Sequence, residues 1–303
     1  MKHFKTIAEF LHYLNLARPE HPMIHVLSDE DFQELYSCNI DFTEPVTTDF
    51  YFIILKNIKE GNITYGRTKY DFSDGLMFFL APEQTLQWDG VTFADKGFSI
   101  AFHKDFIKGH YLRDEIKKYG FFDYAVNEAL QLTPKEEKTI TTILQNIKNE
   151  YQNNQDDFSS EIMLSHISTL LKYSDRFYKR QFRNRLEIGG DISSQFKKVV
   201  QFYFDNHTIE IEGIPTINWI AKELSVSSRY LTDALKSETG KTAIEHIHLF
   251  LIDEAKNLLL QPNTTISETA YKLGFEYPQY FTRLFKKKVG VNPTEYIKNH
   301  SVN

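Results

Sequence analysis

The C-terminal third of the chain repeats itself, and this limits its fold more than any other feature. Ile217, Ile220, Ala221 and Leu224 recur 49 residues later as Ile266, Thr269, Ala270 and Leu273. After one extra residue, Leu231, Leu235, Lys236, Gly240, Glu245 and Ile247 recur 50 residues later as Phe281, Phe285, Lys286, Gly290, Glu295 and Ile297. Each copy must therefore form the same supersecondary unit. The spacing reads as a short helix, a tight turn, a second helix ending before a glycine, and a further short helix. Between the copies, residues from about Thr242 to Leu260 read as one connecting helix with Ile244, Ile247, Leu251, Ala255 and Leu258 on its buried side.

Two helices joined by a tight turn form a helix-turn-helix, whose second helix lies in the DNA major groove with its exposed face toward base edges. At about 100° per residue, Phe281, Leu284, Phe285 and Val289 gather on one side of the second copy's reading helix. Gln279, Arg283, Lys286 and Lys287 fall opposite. Arg pairs bidentately with guanine and Gln with adenine, while Lys suits phosphate, which positions without specifying. In the first copy Leu231, Ala234 and Leu235 turn inward, and Arg229, Asp233 and Lys236 turn outward. Asp233 holds the place of Arg283; it either accepts from a cytosine amino group or holds Arg229 in place.

The net charge of −6 first argues against a polyanionic partner, but the charge is unevenly spread. Residues 1–190 carry 22 basic and 28 acidic residues, and residues 191–303 carry 13 of each. Residues 270–303 hold six basic residues against two acidic ones. Lysines at a helix C-terminus also favour the macrodipole and are often merely solvated, so Lys286-Lys287-Lys288 alone says little. A membrane-surface helix is disfavoured because neighbouring helices would use its apolar face. The tandem repeat gives the run its meaning.

At 303 residues, with 41% hydrophobic content, the chain suggests two domains with sizeable cores. Residues from about 40 to 102 alternate short runs of Phe, Tyr, Ile and Thr with Gly, Asn and Asp, which suggests a small antiparallel barrel or sandwich. From His103 the spacing turns helical. Thr133 and Pro134 form a helix start. A long helix from about Ser159 to Arg185 carries Ile162, Leu164, Ile167, Leu170, Leu171 and Phe177, as a core helix or a dimerisation helix. Gly189-Gly190-Asp191 marks a linker.

The single cysteine, Cys38, excludes an internal disulfide framework and suits a reducing cytosol. The N-terminus makes a poor signal peptide, and no segment has the apolar length of a membrane span. A cytoplasmic protein is expected. Barrel metal sites need closely spaced His and Glu ligands, yet no histidine lies between Asp49 and Phe102. His246 and His248 are two apart on a helix and face apart, and His21 and His25 have no evident third ligand. No phosphate loop, nucleophile elbow or paired-cysteine motif appears. No enzyme, metal or cofactor is expected.

Residues from about Asp191 to Ser301 resemble the DNA-binding domain of AraC/XylS-type transcription regulators. The resemblance rests on IAKELSVSSRYLTDALKSETGKTAIEHI, on ISETAYKLGFEYPQYFTRLFKKKVGVNPTEYI and on the helix between them. The family pattern appears as Ala270, Gly274-Phe275, Phe281, Phe285-Lys286, Gly290 and Pro293. The resemblance implies reading helices over Ser227 to Glu238 and Pro278 to Val289. It places base contacts at Arg229, Thr232 and Asp233 in the first, and at Gln279, Tyr280, Thr282 and Arg283 in the second. Ser227, Ser228, Tyr230, Lys236, Tyr277, Lys286 and Lys287 complete the candidate interface. One departure is Leu251, where relatives commonly carry an arginine four residues before Ala255.

The implied fold is α+β: a cupin-like antiparallel β-barrel with following helices, then an all-α domain of two helix-turn-helix units joined by a connecting helix. The domain bounds are 1–187 (barrel about 20–102, helices about 103–185), a linker 188–192, and 193–303, with motifs at about 216–238 and 265–289. The family also implies a small-molecule effector in the barrel, with Tyr51, Phe79, Trp88 and Phe102 as candidate lining. It further implies a homodimer, double-stranded DNA as partner, and RNA polymerase if the output is activation. The rival reading is a small-molecule-binding module whose helical tail mediates protein contacts.

Overall fold

The computed structural model describes residues 2–29, 31, 45–60, 64–65, 68–69, 75–85, 92–125, 128–153, 156–188, 192–206, 208–262 and 264–300. Cys38, Trp88 and the expected linker Gly189-Gly190-Asp191 lie outside the described residues. Backbone contacts divide the chain into two compact units, Met1–Asn184 and Arg185–Asn303.

The first unit is built on a five-stranded antiparallel sheet. Its strands are β2 (Ile24–Leu27), β4 (Phe50–Glu60), β7 (Leu76–Leu80), β8 (Thr92–His103) and β9 (Leu130–Gln131), in the order β2-β8-β4-β7-β9. Two small pairs accompany it: β1 (Lys2–Phe4) parallel to β3 (Val46–Thr48), and β5 (Thr64–Tyr65) with β6 (Thr68–Lys69). On one sheet face Phe50, Phe52 and Ala101 pack against Ile7, Phe10 and Leu11 of helix α1 (Ile7–Tyr13). On the other, Tyr51 stands beside Phe102 and Ile53 beside Phe79 in cross-strand register. A strand covered on both faces has no wet side, which is why Phe50 to Leu55 reads as a continuous apolar run. After the short helix α2 (Leu112–Glu115) come α3 (Pro134–Gln152) and α4 (Ser159–Ile188). Thr133 and Glu136 close a capping box at the start of α3, where the sequence places it.

Among the described residues the sheet does not close into a barrel. Its outer strands are instead covered by helix side chains. Beside β2, the Tyr151 hydroxyl meets both the Glu20 N–H and His25 Nδ1 at 2.9 Å. On β9, Gln181 accepts from the Gln131 N–H at 2.7 Å and Arg180 donates to the Gln131 carbonyl at 2.6 Å. Arg180 also forks onto Glu136 at 2.8 and 2.9 Å, tying α4 to α3. The Gln131 backbone groups satisfied this way on β9 need no closing strand. The chain is thus α+β with a helical C-terminal region. On α4, Leu164, Ile167, Leu170, Leu171 and Phe177 are buried as expected, but Ile162 in the first turn is exposed.

The second unit is helical: α5 (Ile192–Asp205), α6 (Thr208–Glu212), α7 (Ile217–Glu223), α8 (Ser228–Thr239), α9 (Ala243–Leu259), α10 (Ile266–Lys272), α11 (Pro278–Val289) and α12 (Pro293–His300). The duplication shows in the backbone as well as the sequence. Helices α7 and α10 both span seven residues, 49 apart, and α8 and α11 both span twelve, 50 apart. The core joins Ile220, Ala221, Leu231 and Leu235 of the first copy to Ala270, Leu273, Phe281 and Phe285 of the second. Ile247, Leu251, Ile252, Ala255 and Leu259 of α9 lie in the same core. Two expectations for α9 need correction, since Ile244 is exposed and Leu258 only half-buried. Both sit on the correct stripe but near the helix ends; periodicity gives a direction and not the reach of the packing partners. Leu251, at the departure from the family pattern, packs apolarly within this core.

Candidate nucleic-acid interface

Both motifs are assembled from the same local parts. Thr216 and Thr265 cap α7 and α10, each accepting from the backbone N–H three residues on. The helices end in matching turns: Val226 donates to the Ala221 carbonyl at 2.9 Å, and Phe275 donates to the Ala270 carbonyl at 3.0 Å. The residue before each donor is left-handed, Ser225 with φ 57° and Gly274 with φ 75°. A Cβ on Gly274 would stand 2.8 Å from Ile209 Cγ1 and 2.9 Å from backbone atoms of Gly213 and Ile214, so glycine is demanded there twice over. Glu276 is the extra residue of the second turn. Ser227 caps α8 through the Tyr230 N–H at 3.2 Å, whereas α11 starts with Pro278 at its first helical position. Both reading helices end at left-handed glycines, Gly240 and Gly290.

The core fixes which way α11 turns. Phe275, Phe281, Phe285 and Tyr296 form a chain of ring contacts with centroids 5.4–5.7 Å apart. With Phe281 and Phe285 fully buried, Gln279, Tyr280, Arg283, Lys286 and Lys287 are left exposed on the opposite side. Tyr277 and Tyr280 meet edge to face at 5.7 Å where the helix begins, each about half exposed. Thr282 is half-buried and spends its proton on the Pro278 carbonyl. The α11 sequence carries no acidic residue, so its outer face is purely cationic and polar.

Helix α8 presents a different surface. Arg229, Thr232, Asp233 and Lys236 reach solvent, and Arg229 Nε lies 3.1 Å from Asp233 Oδ2. Ser227 is the cap, and the Ser228 hydroxyl donates to Asn218 Oδ1 on α7, so both serines brace the turn. Tyr230 corrects the sequence reading: it is 1% exposed and cannot meet a nucleic acid through its ring. On the wheel it falls only about 40° from Ala234, and that angle could have placed it inside. Lys288 is exposed but stands over α9, not among the readers. Burial first, then Lys288 and Lys287, hold His248 below its ordinary value. The sequence reading also missed Asn218, exposed on α7 and joined to the start of α8 through Ser228. Asn218 could have been found from its partnership with the start of α8.

The candidate effector residues lie in the other unit. Tyr51 stacks on Phe102 at 5.2 Å and meets Phe122 edge-on, and Phe79 lies 4.4 Å from Phe121. Phe79 and Phe102 are buried and Tyr51 is half-buried, with burial raising the Tyr51 hydroxyl above its ordinary pKa. These three share one sheet face and pack as core rings. Among the described residues no cluster of three or more metal-ligating side chains occurs, and no helix is long and apolar enough to cross a membrane.

Residues 220–299 match the family described as a helix-turn-helix domain. The chain is similar to an HTH-type transcriptional regulator in the cgkA 5' region of Pseudoalteromonas carrageenovora, 35% identical over 99 residues, which are 33% of this chain and 57% of the relative. It is 30% identical over 122 residues to the transcriptional regulatory protein YesN of Bacillus subtilis (strain 168), covering 38% of this chain and 32% of that one. Among solved structures it is similar to the C-terminal domain of AraT, a response regulator from Geobacillus stearothermophilus. That likeness has 27% identity and a TM-score of 0.32, over 36% of this chain and 88% of the other. The chain thus spans less than two thirds of the length of either curated relative. Its C-terminal region is an AraC-type helix-turn-helix domain.

Proposed function

We propose that the protein is a sequence-specific DNA-binding transcription regulator that places α8 and α11 in successive major grooves of one duplex face. The observation that carries this reading is the duplicated motif with its inner face locked by core residues and its outer face lined by groups that fit base edges and phosphates. Arg283 and Gln279 read bases, and Lys286 and Lys287 supply salt-dependent affinity. In a gel-shift comparison, Arg283→Ala costs roughly 1–3 kcal/mol on the selected site and relaxes discrimination at one base pair. Lys287→Ala weakens binding to all duplexes alike and lowers the salt slope by about 1. Equal losses for both variants on selected and scrambled duplexes would sink this division of roles.

The N-terminal domain expected from the sequence, residues 1–187 with the linker 188–192, is assigned the regulatory role, as a cupin-like sensor that also dimerises the protein. Tyr51, half-buried beside Phe102 and Phe122, is the accessible side of its candidate effector site. One observation favours the rival reading of a protein-contact tail. A groove of about 1040 Å³ runs between α5 and α9, with Phe202 66% exposed and Leu249 41% exposed. That reading predicts no preference for any duplex at physiological salt, which the same gel shift measures.

A further inference from the structure

We infer that Asp233 is a positioning residue that aims Arg229 at a guanine, so that the first reading helix gains selectivity while giving up affinity. The inference rests on the reading of α8 as a DNA-facing helix. At the offset of 50, Arg229 and Asp233 occupy the places of Gln279 and Arg283 on α11. Both side chains reach solvent, 45% and 25% exposed, on the face away from Leu231 and Leu235. The 3.1 Å contact engages Nε of Arg229 with Oδ2 of Asp233 one helical turn on. Among the described residues no side chain takes the two Nη groups of Arg229, so the end-on fork of the guanidinium stays open. That fork matches the O6 and N7 acceptors of guanine. A guanidinium anchored along its other edge has less rotamer freedom to lose on docking.

The same carboxylate puts a negative charge where the duplex is densely negative, which weakens binding to every sequence. Asp233 therefore acts with opposite sign on the two measurable quantities: it raises discrimination at one base pair and lowers non-specific affinity. A carboxylate that itself read a cytosine amino group would act without Arg229. A carboxylate that only stabilised the helix would leave base preference alone.

The test is selection of bound sites from random duplexes by the full chain, run on the wild type, Asp233→Asn, Asp233→Glu, Arg229→Ala and the Arg229→Ala/Asp233→Asn double variant. Circular dichroism confirms that each is folded. The wild type selects a fixed guanine opposite α8. Asp233→Asn lowers that preference by roughly tenfold, within the range for one bidentate contact, and binds scrambled duplex more tightly. Asp233→Glu, which can still reach Arg229, retains most of the preference. Arg229→Ala loses the same position, and adding Asp233→Asn changes base preference no further. Unchanged guanine preference in Asp233→Asn overturns the inference while leaving DNA binding intact. So does a further change of base preference on adding Asp233→Asn to Arg229→Ala, since Asp233 would then read a base itself. If the wild type selects no common sequence, the proposed function falls, and this inference with it.

Discussion

Two glycines with the same backbone geometry and different surroundings let the cost of close packing be separated from the cost of conformation. Gly240 and Gly274 both have φ 75°. A Cβ on Gly240 meets nothing within 4 Å, whereas one on Gly274 meets Ile209, Gly213 and Ile214 at 2.8–2.9 Å. The left-handed region costs a non-glycine residue roughly 1–2 kcal/mol. Replacing glycine by alanine returns about 0.4–1 kcal/mol by restricting the unfolded chain. Gly240→Ala should therefore lose about 1 kcal/mol. Gly274→Ala adds an overlap with backbone that cannot rotate away, and overpacking of this kind costs about 1–3 kcal/mol more. Its total is about 2–4 kcal/mol. The assay is urea unfolding followed by Trp219 fluorescence, in a Trp88→Phe background that leaves Trp219 as the sole tryptophan of the chain. Trp219 meets Tyr203 edge-on at 4.7 Å, so its emission reports packing in the second unit. If the two variants lose the same stability to within about 0.5 kcal/mol, the argument from close approach to α6 is wrong.

Phe285→Ala removes a fully buried ring from the core and should cost about 3–5 kcal/mol in the same Trp219 assay, and a loss below about 1 kcal/mol would contradict its role in orienting α11. His25 gives a pH dependence in the first unit. Burial lowers its pKa to about 4, partly opposed by Asp31, while the unfolded value is about 6.5. The unfolded chain binds the extra proton between those values, so this contribution is complete above about pH 6.5 and fades as pH falls toward about 4. It amounts to about 3 kcal/mol. Thermal unfolding of the wild type and His25→Gln at pH 7 and pH 4.5 measures it; equal pH losses in the two proteins would refute the assignment.

What could be read from sequence followed from how strongly each local signal was constrained by packing. The repeat fixed the motifs because each inner position answers to the same shared core, and Phe281 and Phe285 behave as their spacing requires. Tyr230 was misplaced, although its angle on the wheel, beside Ala234, turns it inward. That the sheet stays open among the described residues was not legible, because Arg180 and Gln181, which satisfy the Gln131 backbone on β9, lie far along the chain on a helix. No short-range pattern announces such a contact. The partnership of Arg229 with Asp233 was visible as an i,i+4 pair, but its choice of the Nε edge was not.

The two copies share an interior and differ outside, and on the proposed reading this gives the domain a sense of direction. Palindromic sites suit readers related by a twofold axis, and a strict direct repeat would suit two identical ones in tandem. A tandem in which one reader offers Arg229 with Asp233 and the other Gln279 with Arg283 suits neither. The sequence it fits would differ between its left and right ends, so even a lone domain would dock in one orientation. Whatever stands beside the site would then always meet the same side of the protein.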